Sequence, residues 1–167
     1  MINEALTFLA EELNEHFKTK FKFNEDIVVL SSLKNADGTS GVSGENKVVL
    51  TLINIEEDAV SRNAPVNKVD TRAFIAAPIN IGLQILVSTV FSNNYPESLK
   101  YISEVIDFFH NKSVFTNQTS PKLDTGIEKL IVDLSSKTLE ESTALWQMLG
   151  STYTPSVVYK VRMLATG

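Results

Sequence analysis

The sequence contains no cysteine among its 167 residues. This absence excludes a disulfide framework, a zinc–thiolate site and a cysteine nucleophile. Histidine is nearly absent as well, since His16 and His110 are the only two and lie far apart in the chain. No G-x-S-x-G motif indicates a serine nucleophile. The sequence therefore predicts no catalytic residue, no metal site and no cofactor.

Glycine is also scarce, and three of the seven glycines fall between Asn35 and Gly44. Lys47 follows this stretch, but the G-x-x-x-x-G-K-[ST] spacing of a phosphate-binding loop is missing, and Lys47 leads into a strand rather than a helix. The stretch therefore predicts a flexible hairpin rather than a nucleotide site.

Basic residues are outnumbered by acidic ones, which gives a net charge of −5 and a pI near 5.1. This balance argues against general affinity for nucleic acid or for an anionic membrane. The N-terminus is not basic and leads into an acidic amphipathic segment, so it does not resemble a signal peptide. No apolar run reaches the about 18 residues needed to cross a bilayer. We expect no nucleic-acid partner and no membrane contact by this chain.

Apolar periodicity predicts helices and strands that alternate along the chain. A stripe from Ile2 to Phe17 at helical spacing predicts a first helix, and Pro96 opens a second. Thr138 and Glu141 form a capping-box pattern for a third helix, which Gly150 ends. The predicted buried stripe of the second helix consists of Leu99, Ile102, Val105, Ile106 and Phe109. Strands are predicted for residues 26–31, 47–55, 79–91, 128–134 and 157–164.

Residues 47–55 are apolar on both alternating faces, which predicts a strand covered on both sides. The polar stretch from Asp58 to Ala77 is long for a connection inside a compact domain, so we expect it to be functional or ordered by a partner. The predicted order indicates one α+β (α/β) domain over residues 1–167, with a mixed β-sheet flanked by helices.

The sharpest acidic cluster is Glu56, Glu57 and Asp58, at the end of the second predicted strand. Carboxylates can hold Ca²⁺ or Mg²⁺, but no EF-hand spacing or second cluster accompanies them. We favour ion pairs with basic residues of the following stretch, within one chain or across a subunit boundary. The basic candidates are Arg62, Lys68 and Arg72.

Two aromatic residues near the C-terminal end are assigned different roles. Trp146, the only tryptophan, lies on a helix face and is expected in the core. Tyr153 lies in an exposed-looking turn, and tyrosine is enriched at interfaces, so we predict an interface position for it.

Two segments carry a resemblance to a known family. One runs from Asn54 to Ala59, continues through Arg62-Asn63, and resumes with a long strand at Pro78-Ile79-Asn80. The other runs from Leu145 through Gly150 and then from Tyr153 to Arg162. Together they resemble the N-terminal domain of the terminator, or cap, proteins of phage-tail-like contractile injection systems such as the antifeeding prophage and Photorhabdus virulence cassette particles. Members often carry an additional C-terminal domain.

The resemblance implies a tail-terminator fold and a structural role without catalysis. It implies a homo-hexameric ring that caps the distal end of the sheath and inner tube and stops their polymerisation. The implied partners are the terminal sheath and tube proteins and, further, the tape-measure protein. Assembly would take place in the bacterial cytoplasm, after which the protein is part of a particle that can be released. Glu56, Glu57, Asp58, Arg62, Asn63, Lys68, Arg72 and Tyr153 are the predicted contacts.

Two other functions are compatible with the residues. One is a small metal-dependent hydrolase that uses the acidic cluster from Glu56 to Asp58. The other is a stand-alone adaptor that binds an extended peptide at a sheet edge. Thermal stabilisation of the protein by a divalent metal ion would favour the hydrolase. A protein that stays monomeric at high concentration would favour the adaptor.

Overall fold

A computed structural model describes residues 1–42, 44–58 and 78–166. Within these residues the helices are α1 (Ile2–Phe21), α2 (Tyr95–Asn111) and α3 (Leu139–Leu149). The strands are β1 (Val28–Leu30), β2 (Lys47–Glu57), β3 (Ile79–Val90), β4 (Val114–Thr116), β5 (Ile127–Leu134) and β6 (Ser156–Ala165). No helix in the described ranges is long and apolar enough to cross a membrane.

The strands form one mixed sheet in the order β1-β2-β3-β6-β5-β4. Only β1 and β2 are parallel, and every other neighbouring pair is antiparallel. The two central strands are therefore β3 and β6, with β2 and β5 on either side of them, and strands of three residues form both edges. The prediction of an α+β fold with a mixed sheet and flanking helices is confirmed.

The main core lies between one face of the sheet and the helices α1 and α2. Phe17 of α1 and Phe109 of α2 are fully buried there. Alternate residues of the central strands meet them, including Leu83, Ile85 and Val161. We call this side the α1/α2 face.

A smaller apolar cluster covers part of the opposite face, which we call the α3 face. Leu86 of β3 and Val158 of β6 pack there with Trp146 of α3. Trp146 is the only residue of α3 that is fully buried. The core position predicted for Trp146 is confirmed, and the half-buried Leu145 and Leu149 of α3 pack against the same cluster.

Local signals explain where the helices begin and end. Asn94 accepts a hydrogen bond from the amide of Glu97, and Pro96 occupies the first turn of α2. Thr138 and Glu141 form the predicted capping box at the start of α3. Gly150 ends α3 in the left-handed conformation at φ 65°, which glycine adopts without steric cost.

Two predictions about burial are wrong in part. The buried side of α2 consists of Ser98, Tyr101, Val105 and Phe109, whereas Leu99 and Ile106 are exposed. α2 therefore carries two neighbouring apolar faces, and apolar spacing alone did not distinguish them.

The second error concerns β2, which is covered on both sides only in its first half. Its end is open, and Ile55 is 53% exposed. Strand β4, which the sequence analysis missed, is too short to produce an alternating pattern. The long stretch predicted from Asp58 to Ala77 lies outside the described residues beyond Asp58.

Candidate interaction surfaces

The acidic end of β2 is tied to the α3 face of the sheet by side-chain hydrogen bonds. Gln84 of β3 donates from Nε2 to Oε1 of Glu56 at 2.8 Å. Lys137, just before α3, donates from Nζ to Oε1 of Gln84 at 3.3 Å. The Asp58 amide donates to the carbonyl of Asn80 at 3.2 Å, which continues the strand pairing. Glu56 therefore has a structural role within the sheet as well as an acidic charge at its end.

The partners predicted for this acidic cluster lie outside the described residues. They are Arg62, Lys68 and Arg72, and the predicted contact Asn63 lies outside the described residues as well. Pairing between them and Glu56, Glu57 or Asp58 therefore stays a prediction. Across the described ranges, no three His, Cys, Asp or Glu side chains lie close enough together to hold a metal ion.

A wide groove separates α3 from the sheet. Its volume is about 1000 Å³, and both apolar side chains and hydroxyl groups line it. Trp146 and Tyr153 meet edge to face in its wall, with ring centroids 5.5 Å apart. Lys137 is the only charged side chain among the described residues that line it.

Exposed apolar side chains surround the groove. Tyr153 is 59% exposed, which agrees with the interface position predicted for it without testing that role. Leu134 and Leu139 also line the groove and are 54% and 85% exposed. Three large exposed apolar side chains that line one groove are typical of an interaction surface. We call Leu134, Leu139 and Tyr153 the groove patch.

Some polar atoms near this groove lack a hydrogen-bond partner within the described part of the chain. They include Nε1 of Trp146, Oγ of Ser88 and Oγ1 of Thr154. A buried donor without a partner costs about 1–3 kcal/mol, so native structures usually satisfy it with protein, water or a bound molecule.

A second apolar surface lies on α2 and adjoins the groove patch, because Ile106 and Leu134 line the same small cavity. Tyr95, Leu99 and Ile106 are 63%, 43% and 40% exposed and lie on one side of α2. Their spacing of four and seven residues places them in one line along a helix. We call these three residues the α2 stripe. The sequence analysis assigned Leu99 and Ile106 to the core and so missed this surface.

An ionic cluster joins α1 to α2 at the rim of the main core. Nε2 of His16 lies 2.7 Å from Oε1 of Glu104, and Nζ of Lys20 lies 3.4 Å from the same oxygen. Burial alone would raise the pKa of Glu104, but the hydrogen bonds from His16 and Lys20 outweigh it and lower the pKa below its ordinary 4.5. The His16 ring also packs on Phe108 at 4.9 Å between centroids. This cluster fastens the two helices together rather than forming an open site.

Comparisons with known proteins identify relatives of the whole fold. The chain matches the family described as Pvc16 N-terminal domain over residues 4–166. The sheath/tube terminator of the PVC extracellular contractile injection system, solved in the extended state, is similar at a TM-score of 0.66 and 19% identity, covering 100% of this chain and 57% of that one. The tube-terminating cap of the anti-feeding prophage is similar at a TM-score of 0.60 and 15% identity, covering 94% of this chain and 52% of that one.

These identities are low, so the likeness to the solved structures concerns the fold. The chain spans a little over half the length of each of these two proteins. No curated protein sequence matches the chain significantly.

Proposed function

The chain belongs to the Pvc16 N-terminal domain family, and on this premise we propose that it is a structural component of a contractile injection system. In that role it caps the distal end of the sheath and inner tube and terminates their polymerisation. We propose that residues 1–167 act as a single cap domain.

One observation carries the proposal. The family match extends over residues 4–166, and the fold is similar along all of the chain to a protein that terminates a sheath and tube. A match to an isolated motif would indicate one local site, whereas a match along the whole chain supports a shared overall role. Fold alone does not specify function, so the family match is the stronger part of this support.

The mechanism that we propose is geometric. One side of a homo-hexameric ring binds the last sheath and tube layer, and its other side offers no equivalent surface for another layer. The described sheet fits this role because each of its edge strands, β1 and β4, has only three residues. Short edge strands limit the backbone that another chain can pair with.

The proposed partners are copies of this chain, the terminal sheath and inner-tube proteins, and the tape-measure protein. We propose assembly in the bacterial cytoplasm, followed by incorporation into the contractile particle.

We further propose that the chain has no catalytic activity. The hydrolase alternative predicts thermal stabilisation by Ca²⁺, Mg²⁺ or Mn²⁺ that disappears in Asp58→Ala, and a thermal melt with each ion tests it.

Deleting the gene from a strain that makes the particle tests the cap role. We expect particles of uncontrolled length or with lost sheath in negative-stain images, and normal particles after complementation with the intact gene. Particles of normal length and sheath content in the deletion strain would contradict the proposal.

Light scattering on the purified chain tests the ring separately. A mass of six copies supports the hexamer, and negative-stain images would then show rings. A monomer that persists at high concentration, and also fails to form rings on purified tube ends, would favour the peptide-binding adaptor.

A further inference from the structure

The edge strand β1 turns every second residue of its backbone away from β2, where another chain could pair with it. The carbonyl of Ile27 and the amide of Ser31 form hydrogen bonds of 3.0 Å with β2, so the backbone groups of Val28 and Leu30 point outward. The Asn14 side chain occupies the outward groups of Val28, accepting from its amide at 2.8 Å and donating to its carbonyl at 2.9 Å. A carboxamide both accepts and donates, so Asn14 takes the place of a neighbouring strand at this residue.

The opposite edge, β4, is closed by the turn that follows it. The carbonyl of Ser113 accepts a hydrogen bond from β5 at 2.8 Å, so the outward backbone groups of β4 are those of Val114 and Thr116. The Thr116 amide donates to Oγ1 of Thr119 at 3.2 Å. The Thr116 carbonyl accepts from the amide of Ser120 at 2.8 Å. Both outward groups of Thr116 are therefore used within the chain itself.

Only one outward residue is left open on each edge strand. Leu30 in β1 and Val114 in β4 have no such backbone partner within the described ranges. A single residue offers one N–H and one C=O, whereas an added strand is held by a series of main-chain hydrogen bonds. Both edges of the described sheet are thus nearly closed to another strand.

We propose that Asn14 and the turn at residues 116–120 are edge blockers, which keep the sheet from gaining a strand from a copy of this chain or from another protein. Their meaning for polymerisation rests on the proposed function, because a terminator must not present an edge on which another layer can grow. The closed edges also argue against the adaptor alternative, which needs an open edge to bind an extended peptide. Partners then contact side chains on the faces and loops of the domain.

Amide hydrogen exchange, followed by NMR on the purified chain, tests whether the edges are closed. We expect exchange about tenfold slower at Val28 and Thr116 than at Leu30 and Val114, although all four amides point away from the neighbouring strand. Equal exchange rates at Thr116 and Val114, or at Val28 and Leu30, would overturn the inference at that edge.

Thr119→Val opens the β4 edge with little change in shape, because the side chain is exposed and only its hydroxyl is lost. We expect the Thr116 amide to exchange about tenfold faster in this variant, as its hydrogen bond is lost. Thr125→Val is the matched control, since Thr125 is exposed in the next turn and its hydroxyl bonds to none of the described residues. The β4 edge is the better one to open, because a substitution of Asn14 also removes a buried side chain.

A synthetic peptide with the sequence of β5 is the probe for strand addition, because β5 is the natural neighbour of β4. Fluorescence anisotropy of the labelled peptide should show binding about tenfold tighter to Thr119→Val than to wild type or Thr125→Val. Binding to wild type that is as tight as to Thr119→Val would overturn the inference and, where tight, favour the adaptor. Normal particles in the deletion strain would instead contradict the cap role without changing the peptide result, so the two failures are distinguishable.

Discussion

Asn14 is a polar residue in the buried side of α1, where it fastens this helix to the edge of the sheet. It is 7% exposed, and its Oδ1 accepts hydrogen bonds from the amides of Ile27 and Val28 at 2.9 and 2.8 Å. Its Nδ2 donates to the carbonyl of Val28 at 2.9 Å. These three bonds satisfy backbone groups of Ile27 and Val28, so a single side chain links α1 to the start of this short edge strand.

Asn14→Leu is expected to destabilise the fold although it adds an apolar side chain to a buried position. It leaves two backbone amides and one carbonyl without a partner, and each such group costs about 1–3 kcal/mol, so we expect a loss of about 3 kcal/mol or more. Urea unfolding measures the change. The matched control is Asn24→Leu at an exposed position after α1, which should change stability by less than about 0.5 kcal/mol. Equal effects of the two substitutions would contradict this role.

Among the elements, those with a long or strongly marked pattern were predictable from sequence. The apolar stripe of α1, the alternation of β3 and the capping box of α3 are all confirmed. β4 was not predictable, because three residues are too few to show a period. The exposed side of α2 was assigned to the core because Leu99 and Ile106 have the same apolar character as the residues that are buried. Which of two adjacent apolar faces meets the sheet depends on packing, which the sequence does not specify.

The capping box should control how firmly α3 is held. The amide of Glu141 donates to Oγ1 of Thr138 at 3.1 Å, and the Thr138 amide donates to Oε1 of Glu141 at 3.2 Å, which lowers the pKa of Glu141. We expect Thr138→Ala to lower the free energy of unfolding by about 1 kcal/mol. Thermal unfolding should show a decrease of about 2–4 °C in a protein of this size.

Thr143→Ala on the same helix is the control for this prediction. The Thr143 hydroxyl donates to the carbonyl of Leu139 and caps no free amide, so its removal should have little effect. If Thr143→Ala and Thr138→Ala were equally destabilising, the capping box would not explain the loss.

The connection between α1 and α2 should make stability depend on pH. The pKa of Glu104 is lower in the folded protein than its ordinary value of 4.5, so its charged form contributes stability above that value. This contribution is lost as the pH falls through the folded pKa. Glu104→Gln should therefore cost roughly 1–2 kcal/mol at pH 7 and less near pH 3, because the stabilisation from the wild-type carboxylate decreases as the pH falls toward its lowered folded pKa.

Urea unfolding of wild type and Glu104→Gln at both pH values measures this difference. Glu11→Gln on α1, at an exposed position, is the control and should show little change at either pH. A Glu104→Gln effect that is as large at pH 3 as at pH 7 would show that lost packing, not charge, is responsible.

At the scale of the whole molecule, the sequence identified the assembly class better than its contacts. The resemblance rested on the order of segments along most of the chain, and the family match over residues 4–166 agrees with it. Of the predicted contacts, Tyr153 lies on an exposed apolar surface, whereas Arg62, Asn63, Lys68 and Arg72 lie outside the described residues. The groove patch and the α2 stripe were missed because an exposed leucine and a buried one look alike in a sequence.

Salt dependence should distinguish an ionic contact between the subunits of the proposed ring from an apolar one. Raising the salt concentration from about 0.1 M to about 1 M shortens the Debye length from ~10 Å to ~3 Å, which weakens ion pairs between exposed charges. Apolar contacts are not weakened in this way, because they depend on area removed from water. If exposed apolar side chains such as Leu99 join the subunits, light scattering should show the same mass at both concentrations, and Leu99→Asp should abolish assembly at both. If instead the cluster of Glu56, Glu57 and Asp58 joins them, the mass should fall at about 1 M salt, and Glu57→Gln should reproduce that fall at about 0.1 M.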